Sequence, residues 1–387
     1  MKLAPIGARL LGLFSSLGLS CVLLCTLGLL TWLGTLAQVE HGLYEVQKKY
    51  FESLFLLQEV GPVSIPLPGG GVVMGLLFLN LIIGGLIRMR RSRAVAGVML
   101  THVGIALLLV AGFVKLRYSQ DGHVTFYEGE SANHFESYFR WELVVWRETD
   151  DGSYQEFLVP DEVLRRAGDE PVRITSAELP FELELSHWMG NCAPMPKGPM
   201  FEVDVPVVEG VFLDEKPRAA KAEQNLAGTY ARVVHADGRR EETALWGVQA
   251  QPWTVSAAGE RWAVDLRKER YPMPFTVRLE DFMKEDHPGT NMPSWFSSDV
   301  TVSGDESSRP VRISMNQPLR DGGLVLYQAS WGPSNARPGE RLFSTLAVVR
   351  NPADQWPLYA CIVIALGLVA HFAKRLVRYV RVEVGRA

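Results

Sequence analysis

Cysteine is scarce in this chain: there are four in 387 residues, Cys21, Cys25, Cys192 and Cys361. None forms a CxxC pair and no CxxCH occurs, which excludes a thioredoxin-like reductase and a chain that is itself a c-type cytochrome. Three of the four fall inside long apolar runs. Cys192 stands alone in the rest, so no internal disulfide is available there. Internal repeats, low-complexity tracts and phosphate-cradling glycine loops are also missing. No nucleophile with a base and an orienting partner stands out, and a hydrolase reading has nothing to rest on.

Long apolar runs are what the chain has in quantity. Four occupy about residues 10–32, 72–87, 94–114 and 357–372, each long enough to span a bilayer and the second and fourth only just. Basic residues sit beside them: Lys2 and Arg9 first, then Arg88, Arg90, Arg91 and Arg93, and finally Lys374, Arg375, Arg378, Arg381 and Arg386. If every run crosses, all three clusters share one side, and that side is the cytoplasm. The first run is too long for the apolar region of a cleavable signal, so a retained span is expected. The expected organisation is a multi-pass inner-membrane protein with both termini cytoplasmic. It has an N-terminal membrane part (1–114), an extracytoplasmic domain (115–356), and a fourth transmembrane helix with a basic tail (357–387).

Net charge is −4 overall, yet the cytoplasmic pieces carry eleven Lys/Arg and one acid, leaving about −14 on the remainder. An acidic external domain argues against nucleic acid as a partner and against anionic lipid bound through that domain.

After the first run, Leu43, Val46, Tyr50, Phe51, Leu54 and Phe55 repeat at helical spacing, which predicts a short interfacial helix over about 41–58. GPVSIPLPGGG then reads as a turn-rich return to the second run, where Asn80 and Gly84–Gly85 suit close helix contact. From residue 115 the pattern turns to period two, as in Phe181-Glu-Leu-Glu-Leu and Phe201-Glu-Val-Asp-Val. Asp237-Gly238 between two apolar runs is a hairpin signal. Further runs such as RWAVDL, PFTVRL, WELVVW and GLVLYQASW bring the total to roughly a dozen short strands. The fold class expected is a membrane protein of α + β type. Four transmembrane helices carry a large all-β, sandwich- or barrel-like domain inserted between helices 3 and 4. DEVLRRAG is the one helix expected inside that domain, with Asp161 as its N-cap.

The titratable residue hardest to place is His102, well inside the third run and about 12 Å from its cytoplasmic start at 1.5 Å per residue. An imidazole in hydrocarbon faces either a ligand or a satisfying neighbour helix, and both readings stand. His371, near the inner end of the fourth run, either shares a cofactor with His102 or snorkels to the headgroups beside Lys374. Outside the runs, His187, Met189, Cys192, Met195 and Met200 are a soft-ligand set at spacings that match no defined metal site. Asp281, Glu285, Asp286 and His287 look site-like but read as a solvated loop.

Several stretches resemble the ResB family of cytochrome c biogenesis proteins. LGTLAQ (33–38) is similar to that family's LGT-x-x-Q exit from the first span, and GLYEVQKKYFESL, FLNLIIGGLIR and THVGIALLLVAG continue the likeness. PFTVRLEDFMKEDHPGTNMP and ISMNQPLRDGGLVLYQASW carry it into the second half, whereas roughly 140–260 match only in character. The resemblance implies a subunit of system II, working with a CcsA/ResC-type membrane partner to move heme outward and join it to the CxxCH thiols of apocytochrome c. It implies His102 as an axial ligand to a transported, non-covalent heme b, with His371 a lesser candidate. The tryptophan-rich heme-handling motif belongs to the partner and is absent here, so the chain alone is expected to be non-catalytic. The competing readings are a heme b electron-transfer subunit using His102 with His371, and a non-heme membrane-anchored scaffold or sensor.

Overall fold

The structure, a computed structural model, describes residues 5–89, 92, 95–199, 202–290, 293–304, 307–333, 337 and 339–384. Lys2, Arg90, Arg91, Arg93, Met200 and Arg386, which bear on the charge and ligand patterns above, lie outside the described residues. The chain forms two compact units, Met1–Ser119 with Asn351–Ala387, and Gln120–Arg350.

In the first unit, α1 (Pro5–Phe14) and α2 (Leu17–Val46) divide what the sequence suggests is one apolar run. The division falls at Ser15–Ser16. Ser16 is extended, and its hydroxyl accepts from Leu19 N at 3.1 Å, so it caps a new helix instead of continuing the old one. α2 is broken again at Gly42, whose φ of 74° and ψ of 166° reverse the chain. The returning segment, ending in the π-helical turn Gln47–Glu52, packs on the outgoing one: Tyr50 is 2% exposed in a core with Leu30, Val46 and Val73. The expected interfacial helix over 41–58 is therefore corrected. Helix stops at Glu52, and residues 55–68 are a hairpin of β1 (Phe55–Val60) and β2 (Val63–Pro68). Gly61 at φ 60° followed by Pro62 makes the two-residue turn, and no helix continues through such a pair.

The second apolar run is α3 (Gly70–Asn80), which continues as a π-helical stretch, Leu81–Ile87. The third is α4 (Ala96–Tyr118) and the fourth is α5 (Trp356–Val384), which carries the basic tail as continuous helix well past residue 372. Among the described residues, four helical segments are thus long and apolar enough to cross a membrane: Leu17–Glu52, Gly70–Ile87, Ala96–Tyr118 and Trp356–Val384.

The second unit is built from strands β3 (Gln120–Tyr127), β4 (Ser131–Glu148), β5 (Tyr154–Val159), β6 (Val172–Ile174), β7 (Phe181–Met189), β8 (Cys192–Pro196), β9 (Val211–Glu215), β10 (Gly228–His235), β11 (Arg240–Trp246), β12 (Trp253–Ala257), β13 (Glu260–Asp286), β14 (Pro293–Ser303), β15 (Ser308–Ser314), β16 (Leu319–Asp321), β17 (Leu324–Gly332) and β18 (Phe343–Arg350). RWAVDL and PFTVRL, read separately in the sequence, are two parts of one 27-residue strand, β13. It pairs with β4 along most of its length, and bulges absorb the irregular stretch between the two apolar parts. The hairpin at Asp237-Gly238 joins β10 and β11, with Gly238 at φ 83°. Residues 202–205 form no strand, against the alternation there.

A ten-stranded sheet runs β15-β14-β13-β4-β3-β18-β17-β16, with β12 on β13 and β5 on β4, and a four-stranded sheet runs β11-β10-β7-β6. One core lies between the two sheets and contains Trp141, Leu143, Leu183, Leu185, Val233 and Leu245. The other draws Phe135, Val277, Leu279, Val300, Ile313, Leu326 and Leu346 from strands of the large sheet alone, so that sheet curls round upon itself. Sandwich and barrel-like packing coexist in one unit. DEVLRRAG supplies only a single turn, Asp161–Leu164. Pro160 stands at its N-cap, and Asp161, the first helical residue, accepts from Trp141 N and Arg165 Nε instead of capping.

Candidate functional site

His102 is the seventh residue of α4, with its ring half-buried. Nδ1 lies 2.7 Å from the Val98 carbonyl oxygen. A carbonyl only accepts, so this bond places the proton on Nδ1 and leaves the Nε2 lone pair unused. The ring rests on Gly85, in the π-helical end of α3: a Cβ built there would stand 2.4 Å from Cδ2 and 3.1 Å from Nε2. Any side chain at 85 would fill the space beside the coordinating edge of the ring.

The helices holding this arrangement are locked by polar bonds in otherwise apolar surroundings. Asn80 is buried, donates from Nδ2 to the Phe14 and Ser16 carbonyls at 2.9 and 3.1 Å, and accepts from Ser20 Oγ at 2.6 Å. It satisfies the Phe14 carbonyl, which the α1–α2 break leaves without a helical partner, and adds a donor to the Ser16 carbonyl, which also accepts from Ser20 N at 3.3 Å. A Cβ on Gly84 would come within 3.2 Å of Ser15, and Arg88 Nη1 donates to Ser15 Oγ at 2.7 Å. Adjacent glycines thus serve different neighbours: Gly84 admits the serine break and Gly85 admits His102. The sequence shows the pair as small residues for close packing, without indicating that a histidine fills the gap.

α4 and α5 meet backbone to backbone. A Cβ on Gly97 would lie 2.7 Å from Gly367 O and from His371 N, one on Gly104 2.6 Å from Ile364 Cγ1, and one on Gly367 2.5 Å from Thr101 Oγ1. His371 enters this seam through its backbone, and its ring stands edge-on to Phe372 at 5.4 Å. Its place is beside Gly97, five residues before His102, whereas the His102 ring is turned to Gly85. The structure does not bring the two histidines together at one site.

The soft-ligand set does not converge. Met189 and Cys192 are core residues packed with Val208, Leu213 and Tyr230, and burial pushes the Cys192 thiol up to about 11. His187 adopts a positive φ of 51°, and its Nε2 is 3.6 Å from Asp169. Asp281, Glu285, Asp286 and His287 are exposed, with Asp286 paired to Lys284. Among the described residues no group of three or more His, Cys, Asp or Glu could hold a metal ion.

These features define a protein class: a bundle of helices apolar enough to cross a membrane, two of them carrying a half-buried histidine, together with a large β unit. Comparison with known proteins narrows the class. Residues 243–340 match the ResB-like family, a segment that takes in PFTVRLEDFMKEDHPGTNMP and ISMNQPLRDGGLVLYQASW. The chain is also 30% identical over 113 residues, 29% of its length, to the cytochrome c biogenesis protein CcsB of Synechococcus elongatus and to the CcsB of a second Synechococcus strain. The chain spans 22% of the length of each of these relatives.

Proposed function

We propose that this chain is a ResB-type subunit of a system II cytochrome c maturation complex. Its role is to help carry heme across the membrane and present it, with a CcsA/ResC-type partner, for attachment to the CxxCH thiols of apocytochrome c. The match of residues 243–340 to the ResB-like family and the names of the two relatives support the system. The observation that carries the heme role is the His102–Gly85 pair: an intramembrane imidazole with its proton held by Val98 and its Nε2 edge facing a position that bears no side chain.

The residues fit a heme cargo as the giver of one axial ligand. Heme supplies an iron that accepts an imidazole nitrogen, and its potential follows ligand and burial. The chain's own residues set up the donor. Val98 O fixes the tautomer and orients the ring, as hydrogen-bond partners do for metal-ligating histidines. The α4–α5 seam keeps α4 from rotating, and Asn80 and Arg88 hold the π-helical stretch that carries Gly85. A second axial ligand comes, in this reading, from the partner membrane protein. The α5 histidine enters the neighbouring seam through its backbone, which disfavours a single-chain electron-transfer site made with His371. The subunit is non-catalytic on its own, and its β unit is a scaffold for the partner and the apocytochrome.

The test is a pyridine hemochrome spectrum of the protein co-purified with its CcsA/ResC-type partner, wild type against His102→Ala and His371→Ala. The expected result is heme in the wild type and in His371→Ala, with loss or marked loosening in His102→Ala. Equal heme in all three would move the ligand to the partner and end the proposal for His102.

A further inference from the structure

A second polar site lies within the β unit, where β4 bends. The hydroxyl of Ser137, 3% exposed, accepts from Phe139 N and Arg140 N at 3.3 and 3.2 Å. On the opposite strand, β13 slips register between Lys268 and Arg270. Tyr138 consequently sits outside the ladder, and its carbonyl accepts a hydrogen bond from Lys268 Nζ at 3.0 Å. The ammonium also stands 4.0 Å from the centroid of the Trp141 ring. It forms no ion pair among the described residues, although burial holds its pKa down at about 8. The Tyr138 ring stacks on His123 at 5.0 Å and 20°, and His123 Nδ1 is buried without a hydrogen-bond partner among the described residues.

The acids nearby are committed or distant. Glu136, opposite His123 in the ladder, is drawn to Arg270 at 3.4 Å. Asp161 is bonded to Arg165 at 2.5 Å and to Trp141 N at 3.2 Å. Glu223, on the one-turn 3₁₀ helix Ala222–Gln224, is exposed and influences His123, Tyr138 and Lys268 through space without bonding to the ammonium. A partly buried cation without a counter-ion and a buried imidazole nitrogen without a partner are both costly, and both lie against Tyr138, the ammonium on its carbonyl and the imidazole on its ring.

We infer that Lys268, His123 and the faces of Trp141 and Tyr138 form a subsite for a planar ligand bearing a carboxylate. One fixed positive charge with one neutral donor matches a monoanion with two oxygens: one oxygen takes the ammonium, and the other takes the proton of Nδ1. A phosphate dianion would need more donors than the site presents. The aromatic faces suit the flat body to which the carboxylate is attached. In this proposal the exposed turn that carries Glu223 moves aside to seat the ligand. This inference is independent of the heme-handling reading.

The test uses the full-length protein in detergent, with benzoate as probe and benzamide as its uncharged counterpart at matched ionic strength. Lys268 acetylation by trace anhydride is followed by mass spectrometry against the other lysines of the same digest. Benzoate at about ten times its Kd is expected to slow Lys268 acetylation about tenfold, while benzamide and the other lysines show no change. A second measurement follows the thermal midpoint of His123→Phe and of wild type with added benzoate, the variant being expected to lose the rise seen in wild type. Equal protection by benzoate and benzamide, or none by benzoate at its highest soluble concentration, would overturn the subsite.

Discussion

Gly85 and His102 are complementary in shape: the glycine lacks the one atom that would collide with the imidazole at 2.4 Å. The ring's orientation therefore depends on a residue in another helix as much as on its own hydrogen bond to Val98. Gly85→Ala is expected to push the ring off its seat at a cost of about 1–3 kcal/mol. Heme content per complex should fall several-fold by pyridine hemochrome, while Gly75→Ala, at a glycine with open space around it, leaves it unchanged. Normal heme in Gly85→Ala would show that the pair does not govern the site.

Asn80 carries the joint between α1 and α2. In Asn80→Ala the Phe14 carbonyl loses its donor in apolar surroundings, while the Ser16 carbonyl keeps Ser20 N, and the expected destabilisation is about 1–3 kcal/mol. Asn80→Asp keeps the volume and the acceptor for Ser20 but removes both donated bonds, so it should be no better than alanine. Thermal unfolding in detergent separates the cases, and wild-type stability in both variants would contradict the role.

The α4–α5 seam admits no side chain at Gly97 or Gly367. Small residues at such contacts let backbones approach, and van der Waals packing is the main attraction available between helices in lipid. Gly97→Leu is expected to separate the helices and to lower both the thermal midpoint and the yield of folded protein. Gly112→Leu, where nothing lies within 4 Å of a built Cβ, is the matched control and should be silent.

Lys268 makes a pH prediction for the β unit. Its folded-state pKa of about 8 lies below the ordinary 10.5, so the unfolded chain holds more protons between those values. The folded state bears the full cost of the buried charge below pH 8, and the cost fades as pH rises towards 10.5. The thermal midpoint of wild type relative to Lys268→Met should thus climb between pH 8 and 10.5 and be level below that window. A difference that is flat throughout would show that the amine titrates normally.

The sequence by itself determined the apolar runs, the acidic strand-rich stretch, the hairpin at Asp237-Gly238 and the likeness to ResB proteins. Hydropathy over twenty residues and period-two alternation are local properties, so they survive reading one residue at a time. His102 was legible for the same reason, since a titratable group inside an apolar run is anomalous wherever its neighbours lie. Tertiary structure decided the remainder. The Ser15–Ser16 break persists because Asn80, sixty-odd residues away, satisfies the Phe14 carbonyl it frees. The segment after Gly42 folds back because the reversed chain finds Leu30 and Val73 to bury Tyr50 against. RWAVDL and PFTVRL join into one strand only because β4 runs beside both. The placing of His102 on Gly85, and of Lys268 and His123 against Tyr138, joins residues from different helices or different strands. Such contacts arise from packing and leave no period in the sequence.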